Sequence, residues 1–551
     1  MSRPRTWRVA AAALLLALSA PAVRAQAFLP DDPLARDADR LDVPKPRPVE
    51  LSQIYDVIAR SFFGRPSGPV RGAVNVNTLG EVPDSSWFTN RMGARVMSLD
   101  EVRRGPDRLL GPDLSPPVTV IAAKSGGITP GFTIRDVRGE VFFVKMDPAT
   151  WPNLSTAADV IGTKFFHAFG YHVPENYIAY LRREDLRIDP RAEVSVPGGR
   201  KRPMEEGDLD RSLAKAARRA DGAVRIVASR RLPGEPLGPF EYHGTRPDDA
   251  NDVFPHEDRR ELRGLRVFAA WLNHDDSRAA NTQDMYVEED GRRYVRHHLI
   301  DFASTLGSGS NVRKEIAAQN PRAGNEYILE LEPGLLAALT LGFWERPWRK
   351  VRYRVFPEVG RFESEFFDPR QWRPEYPNPA FERMLPADAF WAARIVSRFT
   401  DEIVRALVHA GQFEDAEAEA YVADTLISRR DKIVAHYFRE VSPLADFLVV
   451  QEGAGAQVAF RNLGQERGLG DVEGYEYAWF RFDNSTRAVE ALPSAQGRVT
   501  QRRIEVPAVE APYLMVRLGT LGARAPSWAQ PVEVVLRQQD GWSVVGIDRG
   551  R

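Results

Sequence analysis

The chain has 551 residues, of which 43% are hydrophobic, and a formal net charge of −1 at pH 7. That length is enough for roughly two or three domains with their own cores. A net charge near zero argues against nucleic acid as the main partner. The sequence contains no cysteine, which excludes disulfides and a lipid anchor attached to cysteine.

The first 25 residues have the pattern of a secretory signal peptide. A basic start, MSRPRTWR, precedes an apolar stretch, and small residues follow near Ala25 and Ala27. The stretch is short for a membrane span, although an uncleaved anchor stays open as an alternative. We expect the mature chain to begin near Gln26 and to have no membrane span after cleavage. A secreted chain without cysteine is typical of the bacterial periplasm, so a periplasmic or secreted location is expected.

The predicted elements begin with an extended arm and continue as a β-rich region. Residues 48–63 have the apolar spacing of one helix within the arm. Residues 117–147 alternate as a strand followed by a hairpin, and residues 155–171 form an amphipathic helix. Residues 187–222 are charged and irregular, so we expect a surface insertion there. Another strand is predicted at residues 223–232.

The second half is predicted to be helical and then β. An apolar helix ends in the segment NHDDSRAANTQD at residues 273–284, and the pair Asp290-Gly291 indicates a hairpin directly after it. Residues 387–411 have the spacing of one long helix. Residues 445–551 switch to short strands and turns, which predicts a small β-sandwich.

The segment at residues 273–284 carries candidate metal ligands. Asp276 and Asn281 lie five residues apart on the loop that leaves the helix, and the hairpin then returns the chain. Asp301, which ends the apolar strand of that hairpin, is therefore expected beside the loop. Hard cations such as Mg²⁺ prefer oxygen ligands of this kind, completed by substrate phosphates. A carboxylate free of the metal can accept a hydroxyl proton.

A candidate phosphate-binding cation lies upstream. Lys145 sits inside the apolar strand VFFVKM, where a lysine is costly unless it is paired. Asp159, on the following helix, is the expected partner. Phosphoryl transfer needs three parts: a phosphate-binding lysine that an acid holds in place, a catalytic base, and two metal ligands. A lysine that only extends to solvent from an edge strand is the structural alternative.

In this order, the motifs resemble the protein-kinase-like superfamily over residues 115–440. The resemblance is closest to its atypical branches, the HipA, CotH, Golgi secreted kinase and phosphatidylinositol-kinase types. It implies that Lys145 contacts nucleotide phosphates and that Asp159 holds Lys145. It further implies the other roles: Asp276 as the catalytic base, Asn281 and Asp301 as ligands of Mg²⁺ or Mn²⁺, and Lys124, Gly126 and Gly127 as part of a loop over the phosphates.

The resemblance also implies an α+β, two-lobed architecture. The expected divisions are a signal peptide (1–25), an arm (26–114), a β-rich lobe (115–232), a helical lobe (233–440) and a β-sandwich domain (441–551). The implied activity is transfer of the γ-phosphoryl group of ATP to a hydroxyl group. The acceptor, a protein, a glycan or a small molecule, stays open, and AMP transfer with the same parts is an alternative.

Several departures keep a second function open. The sequence has no GxGxxG motif, Ala303 stands where the metal-binding motif has glycine, and no arginine precedes Asp276. Such changes also occur in pseudokinases, so a periplasmic binding or scaffold protein is the main alternative. Two local alternatives also remain: Asp275 and Asp276 as caps of a short helix, and Gly126-Gly127 as a plain hairpin turn.

Metal-dependent hydrolysis is the third candidate function. Five of the nine histidines lie near the same region: His243, His256, His274, His297 and His298. In addition, NHDD is similar to one motif of calcineurin-like phosphoesterases. The other two motifs of that family, Asp-x-His and Gly-His-x-His, are missing. His297 and His298 are expected on opposite faces of a strand, so they cannot easily bind one metal together.

Overall fold

The computed structural model describes residues 26–550 except 38, 40, 63–68, 109, 125–128, 197–199, 311–315, 318–322, 330–338, 340–347, 349, 350, 353 and 454. The predicted signal peptide and the Gly126-Gly127 pair lie outside the described residues. The rest folds as a mixed α+β protein with two compact units. One unit contains residues 26–33, 444–465 and 470–550, and the other contains residues 34–443 and 466–469.

A seven-stranded sheet carries Lys145 in the larger unit. Its strands are, in spatial order, β4 (Asn176–Leu181), β7 (Val224–Arg230), β3 (Val141–Met146), β2 (Gly131–Arg135), β1 (Val118–Ala123), β5 (Leu186–Ser195) and β6 (Lys201–Pro203). β1, β2 and β3 form an antiparallel meander, whereas β1 and β5 are parallel. Alternate side chains of β3 point into a buried core: Phe142, Val144 and Met146. Lys145 therefore lies on the opposite face.

The charged stretch at residues 187–222 is not an irregular insertion. It supplies β5, β6 and the helix α4 (Glu206–Leu213), which buries Leu209 and Leu213 against the core of the sheet. The prediction was wrong because Pro190 and seven charged residues in the range 187–202 hide a short apolar alternation. Strands near a sheet edge tolerate such residues, since only part of their surface is buried.

Helix α3 (Leu154–Phe169) follows β3 and is buried at all but one of its 16 residues. Asp147 caps its first turn: Oδ1 accepts hydrogen bonds from the backbone amides of Ser155 (2.8 Å) and Thr156 (2.9 Å). These bonds satisfy amides that have no partner within the helix. A helix packed on every side holds its side chains in fixed positions.

The two strands that follow the loop at residues 273–284 belong to a three-stranded sheet. Its order is β10 (Arg292–Leu299), β9 (Thr282–Glu289) and β8 (Glu235–Gly238). The predicted hairpin is present, and its turn residues Asp290 (φ 52°) and Gly291 (φ 74°) both adopt the left-handed region that such two-residue turns need. Helix α5 (Arg260–Leu272) enters the loop and ends at Asn273, whose φ is 53°.

The remaining helices of the larger unit are α1 (Gln53–Phe62), α2 (Leu99–Arg104), α6 (Pro379–Glu382), α7 (Pro386–Ser397), α8 (Asp401–His409) and α9 (Ala416–Tyr437). The long helix predicted at residues 387–411 is two helices, α7 and α8. The chain breaks because Thr400 caps α8, with its side-chain oxygen accepting a hydrogen bond from the amide of Ile403 (3.2 Å). Across the described ranges, no helix is long and apolar enough to cross a membrane.

The smaller unit is built from two antiparallel sheets. One contains β11 (Leu444–Glu452), β12 (Gly455–Asn462) and β15 (Arg503–Glu505), and the other contains β14 (Val489–Val499), β13 (Gly474–Phe482), β16 (Tyr513–Leu521), β17 (Val532–Gln538) and β18 (Trp542–Asp548). Both sheets contribute side chains to one core, which includes Val458 from the first sheet and Trp479 from the second. Phe28 packs on the same unit, beside Met515 and Val545.

Candidate functional site

Lys145 lies between two carboxylates of the larger unit. Its Nζ is 3.0 Å from Oδ2 of Asp159 and 2.7 Å from Oδ1 of Asp301. Burial disfavours the charged amine, but the two carboxylates together raise the pKa of Lys145 above its ordinary value. The lysine is therefore held as a cation, in the pairing with Asp159 that the sequence predicted.

Asp159 connects the lysine to the segment after β10. Its Oδ2 accepts from Lys145, and its Oδ1 accepts hydrogen bonds from the backbone amide of Phe302 (3.1 Å) and from Nδ2 of Asn176 (3.0 Å). The side chain is 1% exposed, and burial raises its pKa despite the nearby lysine. Helix α3 and the Asp301 segment are thus joined by direct bonds.

Asp301 leaves β10 in a left-handed conformation, with φ at 61°. Its side chain is 43% exposed, so it is the most accessible of the three charged groups. Burial acts to raise the pKa of Asp301, but the Lys145 ammonium outweighs it and lowers that pKa below its ordinary value. The neighbouring Phe302 is buried and stacks on Phe166 of α3 with ring centroids 4.7 Å apart.

The predicted loop is held by a buried histidine. His274 Nδ1 lies 2.6 Å from Oγ of Ser277, and that hydroxyl donates to the carbonyl of His274 (2.9 Å). Since the hydroxyl proton is used in this way, His274 Nδ1 carries the proton that Ser277 accepts. Burial lowers the pKa of His274, which favours this neutral form. The ring packs against Phe302 with centroids 5.6 Å apart, so it supports the Asp301 segment.

Asp276 is paired with an arginine. Nη2 of Arg278 donates to Oδ2 of Asp276 (3.2 Å), Nε of Arg278 contacts Oδ1, and Nη1 of Arg278 donates to Glu375 (3.1 Å). Burial, followed by repulsion from Asp276, raises the pKa of Glu375 well above its ordinary value. Burial and Asp276 likewise raise the pKa of Asp275 to about 8. Asp276 therefore belongs to an acidic cluster with one strong cation.

Asn281 points its amide nitrogen back into the loop. Its Nδ2 donates to the backbone carbonyl of Asp276 (2.9 Å), and the backbone carbonyl of Asn281 accepts from the backbone amide of Ile300 (3.0 Å). The second bond places the loop beside the residue that precedes Asp301. Asn281 and Asp301 thus belong to adjacent backbone segments, as the sequence indicated.

Lys124 lies close enough to Lys145 for the two charges to repel. Its Nζ donates to the carbonyl of Thr129 (2.8 Å). Burial lowers the pKa of Lys124 to about 8, and Lys145 acts in the same direction. The proximity places a second cation at the same site.

The donor set suits a hard cation that takes further ligands from a substrate. One oxygen of Asp301 is used by Lys145, and no described residue hydrogen-bonds the other oxygen or Oδ1 of Asn281. Carboxylate and amide oxygens of this kind match Mg²⁺ or Mn²⁺. Across the described ranges, no three His, Cys, Asp or Glu side chains converge as a complete metal site. The residues therefore suit a cation shared with phosphates better than a closed protein site.

The predicted residues fall into two linked groups. Lys145, Asp159 and Asp301 contact one another directly, whereas Asp276 and Asn281 are joined through the backbone of the loop. No described hydrogen bond or ion pair joins the Asp276 carboxylate to Lys145 or Asp301. Gly126 and Gly127 lie outside the described residues, so their role stays a prediction.

Sequence reasoning did not assign roles to several supporting residues. Arg278 and Glu375 lie 97 positions apart and meet only after folding. The polarity of HDDSRAAN was a signal for Arg278, but nothing in the sequence indicated Glu375 or Asn176. His274 was grouped with possible metal ligands, whereas it packs against the aromatic core.

The other histidines named above contact different partners. His297 Nδ1 lies 2.7 Å from Asp284, and its ring stacks on Trp87 with centroids 3.5 Å apart. His256 Nε2 is 2.7 Å from Asp252. His298 lines a different pocket, with its Nδ1 3.2 Å from the carbonyl of Arg296. The geometry thus gives no support to a shared metal among them.

The solved structures that are similar to this chain include two of a Golgi kinase. The crystal structure of the Golgi casein kinase with Mn/ADP bound has a TM-score of 0.31 and 10% identity, covering 59% of this chain and 73% of that chain. A crystal structure of the Golgi casein kinase has a TM-score of 0.32 and 10% identity, covering 74% of this chain and 94% of that chain. No family model and no curated protein matches the sequence. The roles of the site residues therefore rest on the geometry of this chain.

Proposed function

We propose that this chain is an atypical, two-lobed, kinase-like phosphotransferase that uses ATP with Mg²⁺ or Mn²⁺ to modify a hydroxyl acceptor. The observation that carries the proposal is the position of Lys145, whose Nζ lies within 3.0 Å of both Asp159 and Asp301. An internal cation from the sheet, an acid from the helix and an accessible carboxylate after β10 meet at one point. Phosphoryl transfer depends on such placed charges more than on covalent chemistry.

Lys145 is proposed to hold the phosphates of ATP. Asp159 keeps the amine charged and aimed, because it is buried and fixed by Phe302 and Asn176. Lys124 supplies a second positive charge near Lys145. In the free protein Asp301 balances Lys145, and bound phosphates would compete for the same amine.

Asn281 and Asp301 are proposed to hold the divalent cation. Each has a side-chain oxygen without a partner among the described residues, and Asp301 is 43% exposed. The bound cation would neutralise charge on the phosphates. The bond from Asn281 Nδ2 to the loop fixes which side of the amide faces outward.

Asp276 is proposed to position the acceptor hydroxyl and take its proton. It is anchored through Arg278, whose guanidinium also contacts Glu375. The pair leaves the Asp276 side chain 19% exposed. A carboxylate held in this way is oriented without being fully enclosed, as an acceptor site requires.

The second candidate is a nucleotide-binding protein without transfer activity. The observation that favours it is the ion pair between Asp276 and Arg278, because a carboxylate committed to an arginine is a weaker proton acceptor. Binding through Lys145 and Asp301 would be the same under both candidates. The two functions therefore differ only in whether phosphate leaves the nucleotide.

The test is release of the γ-phosphate from radiolabelled ATP to a panel of proteins, glycans and water, with Mn²⁺ or Mg²⁺. We expect transfer by the wild-type protein and its loss in Asp276→Ala and Asp301→Ala. Glu288→Ala serves as a matched control, because Glu288 is an exposed acid on the neighbouring β9. ATP binding without any phosphate transfer would support the second candidate and reject the first.

Location and acceptor are proposed on the sequence alone. The N-terminal pattern supports export, which places the proposed reaction in the periplasm or outside the cell. The same parts would also support AMP transfer. Labelling with α-labelled and γ-labelled ATP in parallel separates these reactions, because only AMP transfer leaves the α-label on the acceptor.

A further inference from the structure

A second pocket of the larger unit, with a volume of about 570 Å³, is lined by an unusual number of guanidinium groups. They come from the arm, from the end of β7 and its following link, and from β10: Arg91, Arg104, Arg108, Arg230, Arg231 and Arg296. We call it the arginine pocket. None of Lys145, Asp159, Asp276, Asn281 and Asp301 lines it, so it is separate from the candidate site.

The acids that line the arginine pocket are already paired. Asp107 lies 2.7 Å from Lys164, and Glu175 lies 3.1 Å from Nε of Arg230. Among described residues, no carboxylate lies within 4 Å of four of the guanidinium groups: Arg91, Arg104, Arg108 and Arg231. The lining therefore has several positive charges that the described residues do not neutralise.

Three histidines complete the lining and add no negative charge. His298 is 4% exposed, and burial, with a further contribution from Arg296, lowers its pKa to about 3. Burial and neighbouring charges also lower the pKa of His172 and His167 well below the ordinary value. Arg91 contributes to both shifts. Burial is the main cause of these lowered pKa values, and the neighbouring arginines add to it. The neutral rings can still exchange hydrogen bonds with a ligand.

Arg91 is partly buried, whereas Arg104, Arg108 and Arg231 are exposed around the pocket. A concave site lined by charges of one sign concentrates their field, so this pocket favours an anionic ligand. Burial lowers the pKa of Arg91 to about 10, which shows how far the environment disfavours its charge. Nη1 of Arg91 is bound to the carbonyls of His167 (2.9 Å) and Tyr171 (3.2 Å), so the guanidinium is fixed before any ligand arrives. Fixed guanidinium groups bind phosphate oxygens in pairs of parallel hydrogen bonds.

We propose that the arginine pocket binds a small molecule carrying two or more phosphate groups. Its volume is in the range of about 300–1,000 Å³ that is typical of small-molecule sites. Four unpaired guanidinium groups exceed what one phosphate needs, which favours a polyphosphate or a multiply phosphorylated ligand. This inference does not depend on the proposed transferase activity.

The ligand would touch the two segments that support the candidate site. His167 lies on α3, the helix that carries Asp159, and His298 is three residues before Asp301 on the chain. The amide of Leu299 donates to the carbonyl of His172 (3.0 Å), which joins these segments at the pocket. Occupancy would hold the end of α3 and the end of β10 together.

The test is calorimetric titration of the full mature chain with inorganic tripolyphosphate in a buffer containing a metal chelator. Removing divalent cations prevents metal-dependent binding at the candidate site. We expect one tripolyphosphate per chain, weaker binding of inorganic monophosphate, and affinity that falls as NaCl rises. Lys145→Met, which removes the proposed phosphate contact of the candidate site, should bind tripolyphosphate as the wild type does. This result would separate the pocket from the proposed function.

The diagnostic variant is Arg104→Ala with Arg108→Ala. Both side chains are exposed, so the fold should tolerate their loss. We expect a loss of affinity of about 10- to 100-fold, since each charge-assisted contact contributes strongly. Arg103→Ala is the matched control: it lies on the same helix, pairs with Asp100, and does not line the pocket. The control should leave tripolyphosphate affinity unchanged.

Three outcomes would overturn the proposal. The first is no binding of tripolyphosphate to the wild type. The second is equal affinity in the double variant and in Arg103→Ala. The third is binding of a phosphorylated peptide that is tighter than that of tripolyphosphate and is lost in the double variant, which would assign the pocket to a macromolecule instead. A circular dichroism spectrum matching the wild type confirms that each variant is folded.

Discussion

The Nζ atom of Lys145 lies 2.7 Å from Oδ1 of Asp301, although the two residues are 156 positions apart in the chain. Lys145 comes from β3 of the seven-stranded sheet, and Asp301 follows β10 of the three-stranded sheet. Their contact brings the phosphate-binding candidate and the metal-binding candidate to one place. Asp159 strengthens this arrangement because it binds Lys145 through one oxygen and the Phe302 amide through the other.

Replacing Lys145 by Met should destabilise the fold. The change leaves Asp159, which is 1% exposed, with a buried carboxylate and no cation. Breaking one side of a buried pair costs about 3–5 kcal/mol, and the exposure of Asp301 places the expected loss near the lower end, about 3 kcal/mol. Urea denaturation measures this change. Lys201→Met, at a lysine 64% exposed, is the control and should change stability by less than about 0.5 kcal/mol.

Asp159→Asn in the Lys145→Met background should restore part of that loss, because the buried charge is then removed from both partners. A double variant no more stable than Lys145→Met would contradict the assignment of Asp159 as the main partner. The same result would indicate that Asp301 is the main partner of Lys145.

Asp276→Ala should separate binding from transfer. The carboxylate lies in the Arg278 and Glu375 cluster and makes no described contact with Lys145 or Asp301, so we expect nucleotide affinity within about threefold of the wild type. Phosphate transfer should fall by about 100-fold or more, as for loss of a general base. Filter binding and radiolabel transfer measure the two quantities. Full transfer activity in Asp276→Ala would show that another group takes the proton.

Nucleotide binding should weaken at alkaline pH because of Lys124. Its pKa in the free protein is about 8, and bound phosphates should raise it. The contribution of the charged amine is therefore complete below about pH 8 and is lost as the pH rises from there towards the pKa of the complex. We expect ATP affinity to fall by about 3- to 10-fold between about pH 7.5 and about pH 9.5.

Lys124→Arg provides the control for this pH dependence, since an arginine stays charged throughout that range. Calorimetric affinities of the wild type and Lys124→Arg, measured side by side, should diverge only above about pH 8. Parallel pH profiles for the two proteins would remove Lys124 from the nucleotide site.

Gly162→Ala should disturb the contact between α3 and the Asp301 segment. A Cβ at Gly162 would lie 2.7 Å from Cβ of Phe302 and 3.2 Å from the side chain of Thr305. Because Phe302 is buried and stacked on Phe166, it has little room to move, and we expect about 1–3 kcal/mol of destabilisation together with weaker nucleotide binding. Thermal denaturation and ATP titration measure the two effects.

Gly207→Ala is the matched control for that variant. Gly207 also lies in a helix, α4, but the only nearby atom is the flexible end of Arg211, 3.3 Å from the added Cβ. Alanine is favoured over glycine in helices, so this variant should be neutral or slightly stabilising. Equal destabilisation by the two changes would mean that the Phe302 contact is not the cause.

The pairing of Lys145 could be predicted from the sequence because the physics is local. A lysine between apolar strand residues needs a partner, and the next helix offers Asp159 within reach. The hairpin at Asp290-Gly291 could also be predicted from the sequence, since its turn requires two consecutive residues in the left-handed conformation. Those two facts were enough to predict that Asp301 returns to the loop.

Other features depend on contacts that the sequence does not display. The parallel pairing of β1 with β5 joins segments that are separated in the chain by β2, β3, α3 and β4. The charges of β5 also hide its apolar alternation. The cap at Thr400 interrupts a helical pattern that has no proline or glycine to mark the break. Glu375 reaches Arg278 only through the packing of the helical region, so the pairing of Asp276 could not be predicted.

Equilibrium binding of a non-hydrolysable ATP analogue, with and without Mn²⁺, tests the central claim most directly. The wild type should show a component of binding that requires Mn²⁺, and Asp301→Ala should lose that component, because Asp301 supplies the accessible oxygen beside Lys145. Metal-independent binding at the arginine pocket should be the same in both proteins. Glu288→Ala should bind as the wild type does. Absence of metal-dependent binding to the wild-type protein, or binding to Asp301→Ala that remains metal-dependent and equally tight, would contradict the assignment of this site to a nucleotide and its metal.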